Sequence, residues 1–319
     1  MSLPNPVLPD RSVAVSRRCA RRCLFLRPSR EANEFVGYCL GVARRNHPSV
    51  RLSALAVLGN HHHQVAGDEE GELSSFYRDF HGLLARGLNC VLGRGETFWA
   101  PGGTPKVLIC DEESLWEQLV YVAVNPVRHG LVEKPELWPG LISRPEDVGT
   151  KTFRFERPEK FFRHDVPDAL PPVVEFQLEL PLEFADMDPE AFRQEYRRRV
   201  DERVAKLRAE RKREGLGFTT PQQIRDQNPL DSVGDTFPDR DLSPRVACKD
   251  PARRAGMLLW ISTFRLAHWC AWQLWSRGDR EVLFPYGTYL MQRRYRVRCR
   301  DPDEHRYPLA EDEAGRLAA

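Results

Sequence analysis

The chain has 319 residues, 41% of them apolar and 29% charged, and its formal net charge is only +2. That balance excludes a disordered chain, and the length suits two domains with real cores. No run approaches the roughly 18 apolar residues of a membrane helix, and the N-terminus lacks the compact apolar segment and small-residue cleavage site of a secretory signal, so a cytoplasmic protein with no membrane partner is expected.

Taken in chain order, strand signals cover Ser12 to Ser16, and the spacing predicts a helix from Arg30 to Asn46. Strands follow at Val50 to Leu58 and His61 to Ala66, then a helix at Glu72 to Leu92 and a strand at Lys106 to Cys110. Asp111-Glu112-Glu113-Ser114 has the polar, acidic character of a helix start, and Leu115, Leu119, Val120, Val122 and Val124 give that helix an apolar stripe as far as Asn125, where Pro126 stops it. The order βαββαβ plus a helix is that of a ferredoxin-like split unit, so the expected class is α+β: an antiparallel sheet with packed helices over residues 1–145. Residues 146–187 are irregular and rich in proline (Pro158, Pro167, Pro171, Pro172, Pro181) and read as a linker. Residues 188–319 read as a mostly helical second domain. It comprises a helix at Pro189 to Gly215, a loop near 221–244, a tryptophan-bearing helix at Pro251 to Ser276 and a strand pair around Val282 to Val297. Trp260, Trp269, Trp272 and Trp275 are expected mainly in a core.

The eight cysteines are scattered through these elements, which favours reduced thiols over a disulfide framework. Cys19 and Cys23 have the spacing of half a zinc site, but no second Cys or His pair stands at a matching distance. Charge is uneven. Ten arginines lie between Arg11 and Arg51 against Glu31 and Glu34, and ten basic residues between Arg193 and Arg213. Both tracts are candidate phosphate-binding surfaces, although Glu195, Asp201, Glu202 and Glu210 can pair along the second.

Two short stretches carry chemistry. Side chains alternate along a strand, so His61 and His63 point one way and His62 the other, giving two imidazoles to one site. Tyr121 and Asn125 are four apart on a helix, one turn from each other on the same face. A phenol and an amide oxygen can therefore face the same metal.

The His-x-His strand, the tyrosine helix with an amide four residues on, and the run Asn125-Pro126-Val127-Arg128-His129-Gly130-Leu131-Val132 resemble the single-tyrosine HUH transposases, specifically the REP-associated tyrosine transposase branch of the IS200-like group. The likeness extends through Leu26-Arg27-Pro28, Tyr38-Cys39-Leu40, Phe98-Trp99-Ala100-Pro101 and Trp138-Pro139-Gly140. Ser243 to Cys248 and Phe284 to Tyr289 resemble the C-terminal extension of longer members. The resemblance implies a palm-like HUH sheet in residues 1–145 and a single-strand endonuclease and strand transferase that forms a 5′-phosphotyrosine. Tyr121 would be the nucleophile, with Mg²⁺ or Mn²⁺ held by His61, His63 and Asn125, and with single-stranded or hairpin DNA as partner. A tyrosine phenol, with a pKa of about 10, is mostly protonated at neutral pH, and a cation at the phosphate offsets its weak nucleophilicity. Arg17, Arg18, Arg21, Arg22 and Arg128 are the expected DNA contacts. The family has a bulky apolar residue between the two histidines where this chain has His62, followed by Gln64, Ala66 and Gly67 in place of an aliphatic run. That departure keeps open a domesticated, catalytically weak or inactive DNA-binding protein, while a zinc hydrolase would need further ligands with no comparable motif in the chain.

Overall fold

The computed structural model describes residues 4–162, 170–234 and 245–301. Pro167, the second half of the 221–244 loop, and Ser243 and Pro244 of the C-terminal motif lie outside the described residues. The first half contains strand β1 (Val13–Arg18), helix α1 (Arg30–Asn46), strands β2 (Val50–Val57) and β3 (His61–Asp68), helix α2 (Leu73–Val91) and strand β4 (Lys106–Ile109). Helix α3 (Glu112–Ala123) and the short α4 (Asn125–Arg128) complete it. The strands lie side by side in the order β2-β3-β1-β4, each pair antiparallel.

Local chemistry sets the helix ends. Ser29 caps α1, accepting a hydrogen bond from the Ala32 amide at 3.0 Å, and His47-Pro48 ends it. Asp111 caps α3 through the Ser114 amide at 2.7 Å, and Leu115, Leu119 and Val122 form its fully buried stripe. Helix α3 ends at Ala123, two residues short of the expected Asn125, and Asn125 and Pro126 instead open one more turn, α4, before Gly130 closes it at φ 68°, a left-handed conformation that suits glycine. Helices α1 and α2 cover one face of the sheet, and α3 covers the other across β2 and β3.

Residues 146–187 differ from a linker. They form a hairpin of β5 (Thr152–Glu156) and β6 (Val173–Gln177), paired in register from Thr152↔Gln177 to Glu156↔Val173. The hairpin lies against α1 because Gly37 and Gly41 leave a groove there. A Cβ on Gly37 would stand 2.2 Å from the Phe155 ring, and one on Gly41 would stand 2.4 Å from Val174. Thr152-Phe153-Arg154-Phe155-Glu156 has the strand alternation that the flanking prolines obscure.

Beyond it come α5 (Pro189–Arg213), α6 (Pro221–Asp226), β7 (Arg245–Ala247) and α7 (Pro251–Ser276). Strand β7 joins the main sheet parallel to β4, pairing Val246 with Leu108. The main core runs unbroken from Leu8 to Ile261. The expected strand pair near the C-terminus is present as β8 (Leu283–Phe284) and β9 (Arg298–Cys299), with α8 (Tyr289–Tyr295) between them. The pair is parallel, an arrangement that the long connection through α8 permits. The tryptophans of α7 meet the core only in part: Met257, Ile261, Phe264 and Ala271 form the buried stripe, Trp260, Trp272 and Trp275 pack half-buried against the cores, and Trp269 is 57% exposed. Among the described residues, no helix is long and apolar enough to cross a membrane.

Candidate active site

Strand β3 divides its three histidines between the two faces of the sheet. The His61 and His63 rings meet edge to face with centroids 4.7 Å apart, and the Tyr121 ring lies 5.1 Å from His63, also edge to face. Cross-strand pairing places Ser16 and Ala56 on either side of His63, so small neighbours leave room around that imidazole. His129, just past α4, brings its ring to 6.2 Å from His61.

Asn125 lies between these contacts in sequence, four residues after the tyrosine that touches His63 and four before the histidine that touches His61. Its backbone carbonyl accepts from the His129 amide at 3.2 Å. Its side chain is wholly buried, and neither amide atom has a hydrogen-bond partner. Buried polar groups are nearly always bonded, so the orphaned amide leaves an oxygen and a nitrogen open to a further partner.

The histidines are in the state that binds metals. His61 Nδ1 lies 2.6 Å from Asn60 Oδ1, and an amide oxygen only accepts, so Nδ1 carries the proton and Nε2 keeps its lone pair. Asn60 is fixed in turn by donating Nδ2 to the Arg22 carbonyl at 3.3 Å. Burial, and then the neighbouring His63, His129 and Arg18, hold the His61 pKa well below the ordinary value. Burial, with His62 and His129, lowers that of His63 to about 3. Both imidazoles are neutral at physiological pH, as ligation requires. Among the described residues no group of three His, Cys, Asp or Glu side chains is placed to hold a metal ion, so a metal here depends on the Asn125 amide as well as the imidazoles. By donor type, imidazole nitrogen and amide oxygen are ligands that a divalent ion accepts while keeping positions for phosphate and water. Cys19 and Cys23 are buried free thiols with no zinc set around them among the described residues.

His62 points into the opposite face and is 1% exposed, in contact with Phe80, His81 and Trp99. A defined chain of hydrogen bonds accommodates it. Arg17 Nη1 stands 3.0 Å from His81 Nδ1, and a guanidinium only donates, so His81 accepts there and carries its proton on Nε2. That proton goes to His62 Nε2, 2.8 Å away. Gln64, on the same face, accepts from the Tyr77 hydroxyl at 2.9 Å. Neither His62 nor Gln64 touches the ligand face.

The arginines expected to bind DNA separate accordingly. Arg17 is half-buried and faces the His62 side of the sheet, its Nη1 donating also to Thr104 Oγ1 at 3.1 Å and its guanidinium lying over the Trp99 ring. Strand alternation turned it inward. Arg18 is the cross-strand neighbour of His61 and is on the site face. Arg21 and Arg22 form a tight turn after β1 in left-handed conformation, adjoining the site through the Asn60 bond to Arg22. Arg128 is exposed, with its guanidinium 5.3 Å from the centre of the Tyr121 ring.

Asn60 and Tyr196 are residues that sequence reasoning missed. Tyr196 of α5 donates its hydroxyl to the Leu119 carbonyl at 2.8 Å, and Trp116 of α3 stacks against both Phe184 and Phe192, at 4.7 and 5.0 Å. Helix α5 thereby holds the tyrosine helix in place. Asn60 had a signal, its position beside His61, whereas the α5 contacts are set by tertiary packing.

No family model matches the chain, and no curated protein does. Among solved structures, that of a REP-associated tyrosine transposase bound to a REP hairpin is similar over 44% of this chain and 81% of that one, at 18% identity and a TM-score of 0.37. A likeness that distant carries no argument about activity.

Proposed function

We propose that the chain is a metal-dependent DNA nicking and joining enzyme of the single-tyrosine HUH transposase kind, acting on single-stranded or hairpin DNA. The observation that carries this reading is the buried, unpartnered Asn125 amide, four residues along the chain from Tyr121, whose ring meets His63, and four before His129, whose ring meets His61. We read the antiparallel order β2-β3-β1-β4 as a ferredoxin-like HUH sheet, with α3 as its tyrosine helix. His61, His63 and Asn125 would hold Mg²⁺ or Mn²⁺, which polarises a phosphate and stabilises charge on its oxygens.

The side chains then have distinct tasks. Asn60 holds the His61 ring with Nε2 free. Arg128, beside the Tyr121 ring, is placed to meet phosphate oxygens. The Tyr121 oxygen bonds to phosphorus and gives up its proton, the bond from phosphorus to the 3′-oxygen breaks, and that oxygen leaves as a protonated 3′-hydroxyl. The product is a 5′-phosphotyrosine. Because the phosphodiester count is conserved, attack by another 3′-hydroxyl rejoins DNA without ATP. Preference for a hairpin rests on the sequence resemblance.

The test is incubation of the full chain with a library of labelled single-stranded hairpins plus Mg²⁺ or Mn²⁺, followed by a denaturing gel. A metal-dependent protein–DNA adduct is expected. DNA binding with no adduct in either metal would overturn the enzymatic reading in favour of a DNA-binding protein that keeps the fold.

A further inference from the structure

An open cleft of about 440 Å³ runs between α3 and α5, with Tyr121 on its wall. Val124 and Arg128 border it on one side, and Arg199, Arg203 and Lys206 on the other. Its charges are not balanced in place. The two carboxylates at its edge are engaged elsewhere, Glu117 with Lys249 and Glu202 with Arg198. Arg199 is committed too, bound to both oxygens of Glu113 and lying over the Trp116 ring. Among the described residues Arg203 pairs only with Glu210, at 3.8 Å. Arg128 and Lys206 form no ion pair among the described residues. Three cations thus face a groove whose remaining lining includes the apolar Val120, Val124 and the Trp116 ring. Arg203 and Lys206, three apart on α5, lie one turn from each other on one helix face.

We propose that this cleft seats the backbone of a single-stranded nucleic acid on one side of Tyr121, Arg203 and Lys206 contacting phosphates and Arg128 standing nearest the reacting one. The proposal deepens the reading of Tyr121 as nucleophile and rests on it. Phosphates supply the charge the cations lack, and bases supply flat apolar faces for the groove lining, which an acidic peptide does not. The Arg193–Arg213 tract thereby divides by role: most of its arginines bind carboxylates of the protein, while the Arg203 and Lys206 edge is left for an anion.

The test is fluorescence anisotropy with a labelled oligothymidylate in EDTA over a salt series, so that binding is read without chemistry. Each phosphate contact contributes about 0.7 to the slope of log K against log salt for a single strand. Arg203→Gln with Lys206→Gln should therefore flatten the slope by about 1.4. Lys212→Gln with Arg213→Gln, which removes the same charge from the exposed end of α5, should change it little. Equal flattening by both pairs, or none by the first, overturns the proposal, as does competition by polyglutamate as effective as that by unlabelled oligothymidylate. Thermal unfolding checks the variants. If the double change lowers the midpoint, Lys206→Gln alone decides, with an expected flattening of about 0.7. The wild-type adduct assay separates the two readings: adduct with no slope change in the variant refutes the cleft alone, and a slope change without wild-type adduct refutes the nucleophile alone.

Discussion

Asn125→Leu separates function from stability, because the two should move in opposite directions. The amide is wholly buried with both polar atoms unpartnered, and an orphaned buried polar group costs about 1–3 kcal/mol. Leucine has the same branching and removes that penalty while filling the site. In EDTA the variant should unfold at a temperature a few degrees above wild type, since one kcal/mol is worth about 2–4 °C in a chain somewhat smaller than this. Metal should reverse the order. At a hundred times its dissociation constant, Mn²⁺ adds about 2.7 kcal/mol to wild type, while the variant retains two imidazoles and should gain much less. The assay is circular-dichroism melting with EDTA and across a Mn²⁺ titration, read as two curves that cross. A variant less stable than wild type in EDTA would show that the amide is satisfied by its surroundings, and a full Mn²⁺ shift in the variant would show that Asn125 is not a ligand.

Tyr121→Phe should abolish the covalent adduct and leave affinity for single-stranded DNA nearly unchanged; normal adduct in the variant would assign the nucleophile elsewhere. His81 is buried with its pKa held well below 6.5 by burial, and then by His62 and Arg17. The unfolded chain therefore takes up that proton first: stability is full above about 6.5 and falls as pH drops toward the folded value, by up to about 1.4 kcal/mol per pH unit. His81→Gln keeps an acceptor for Arg17 and a donor for His62, and should flatten urea-unfolding stability between about pH 6.5 and 5 by that one-proton slope; an unaltered slope would refute the neutral buried pair. Arg17→Gln should cost about 1–3 kcal/mol by disturbing the His81 bond, with no change in the salt slope of DNA binding, and a shallower salt slope would return Arg17 to the DNA path. Trp116→Ala should cost about 3–5 kcal/mol and lower adduct yield by freeing α3 from α5, whereas a cost under about 1 kcal/mol would show that α5 does not hold the tyrosine helix.

The elements that position the site were legible where local signals agree. Arg30 to Asn46 has a serine cap, an apolar stripe and a following His-Pro, and the helix spans those residues. Strand alternation alone places His61 and His63 on one face, with His62 opposite. Signals that depend on distant partners were not legible. Nothing near His62 announces His81, nineteen residues away, as its partner, or Arg17 as the donor behind it. The prolines around Thr152 to Glu156 masked a strand whose docking depends on two glycines of α1. Apolar composition suggested core for the α7 tryptophans, but the helix buries only one narrow stripe, and Trp269 falls outside it.

Three consecutive histidines make β3 open to misreading by the fold itself. A slip of one residue would present His62 with Asn60 and Gln64 to α3, one imidazole in place of two, while keeping histidine in the core. Hydrophobicity penalises that slip weakly, because imidazole replaces imidazole. The discrimination falls to the far side of the sheet, where the Tyr77 hydroxyl donates to Gln64, whose place a slip would give to His63 or Val65. That bond acts as a lock on alignment, choosing which two of three identical side chains the tyrosine meets. A change at Tyr77 can therefore alter chemistry on a surface it never touches.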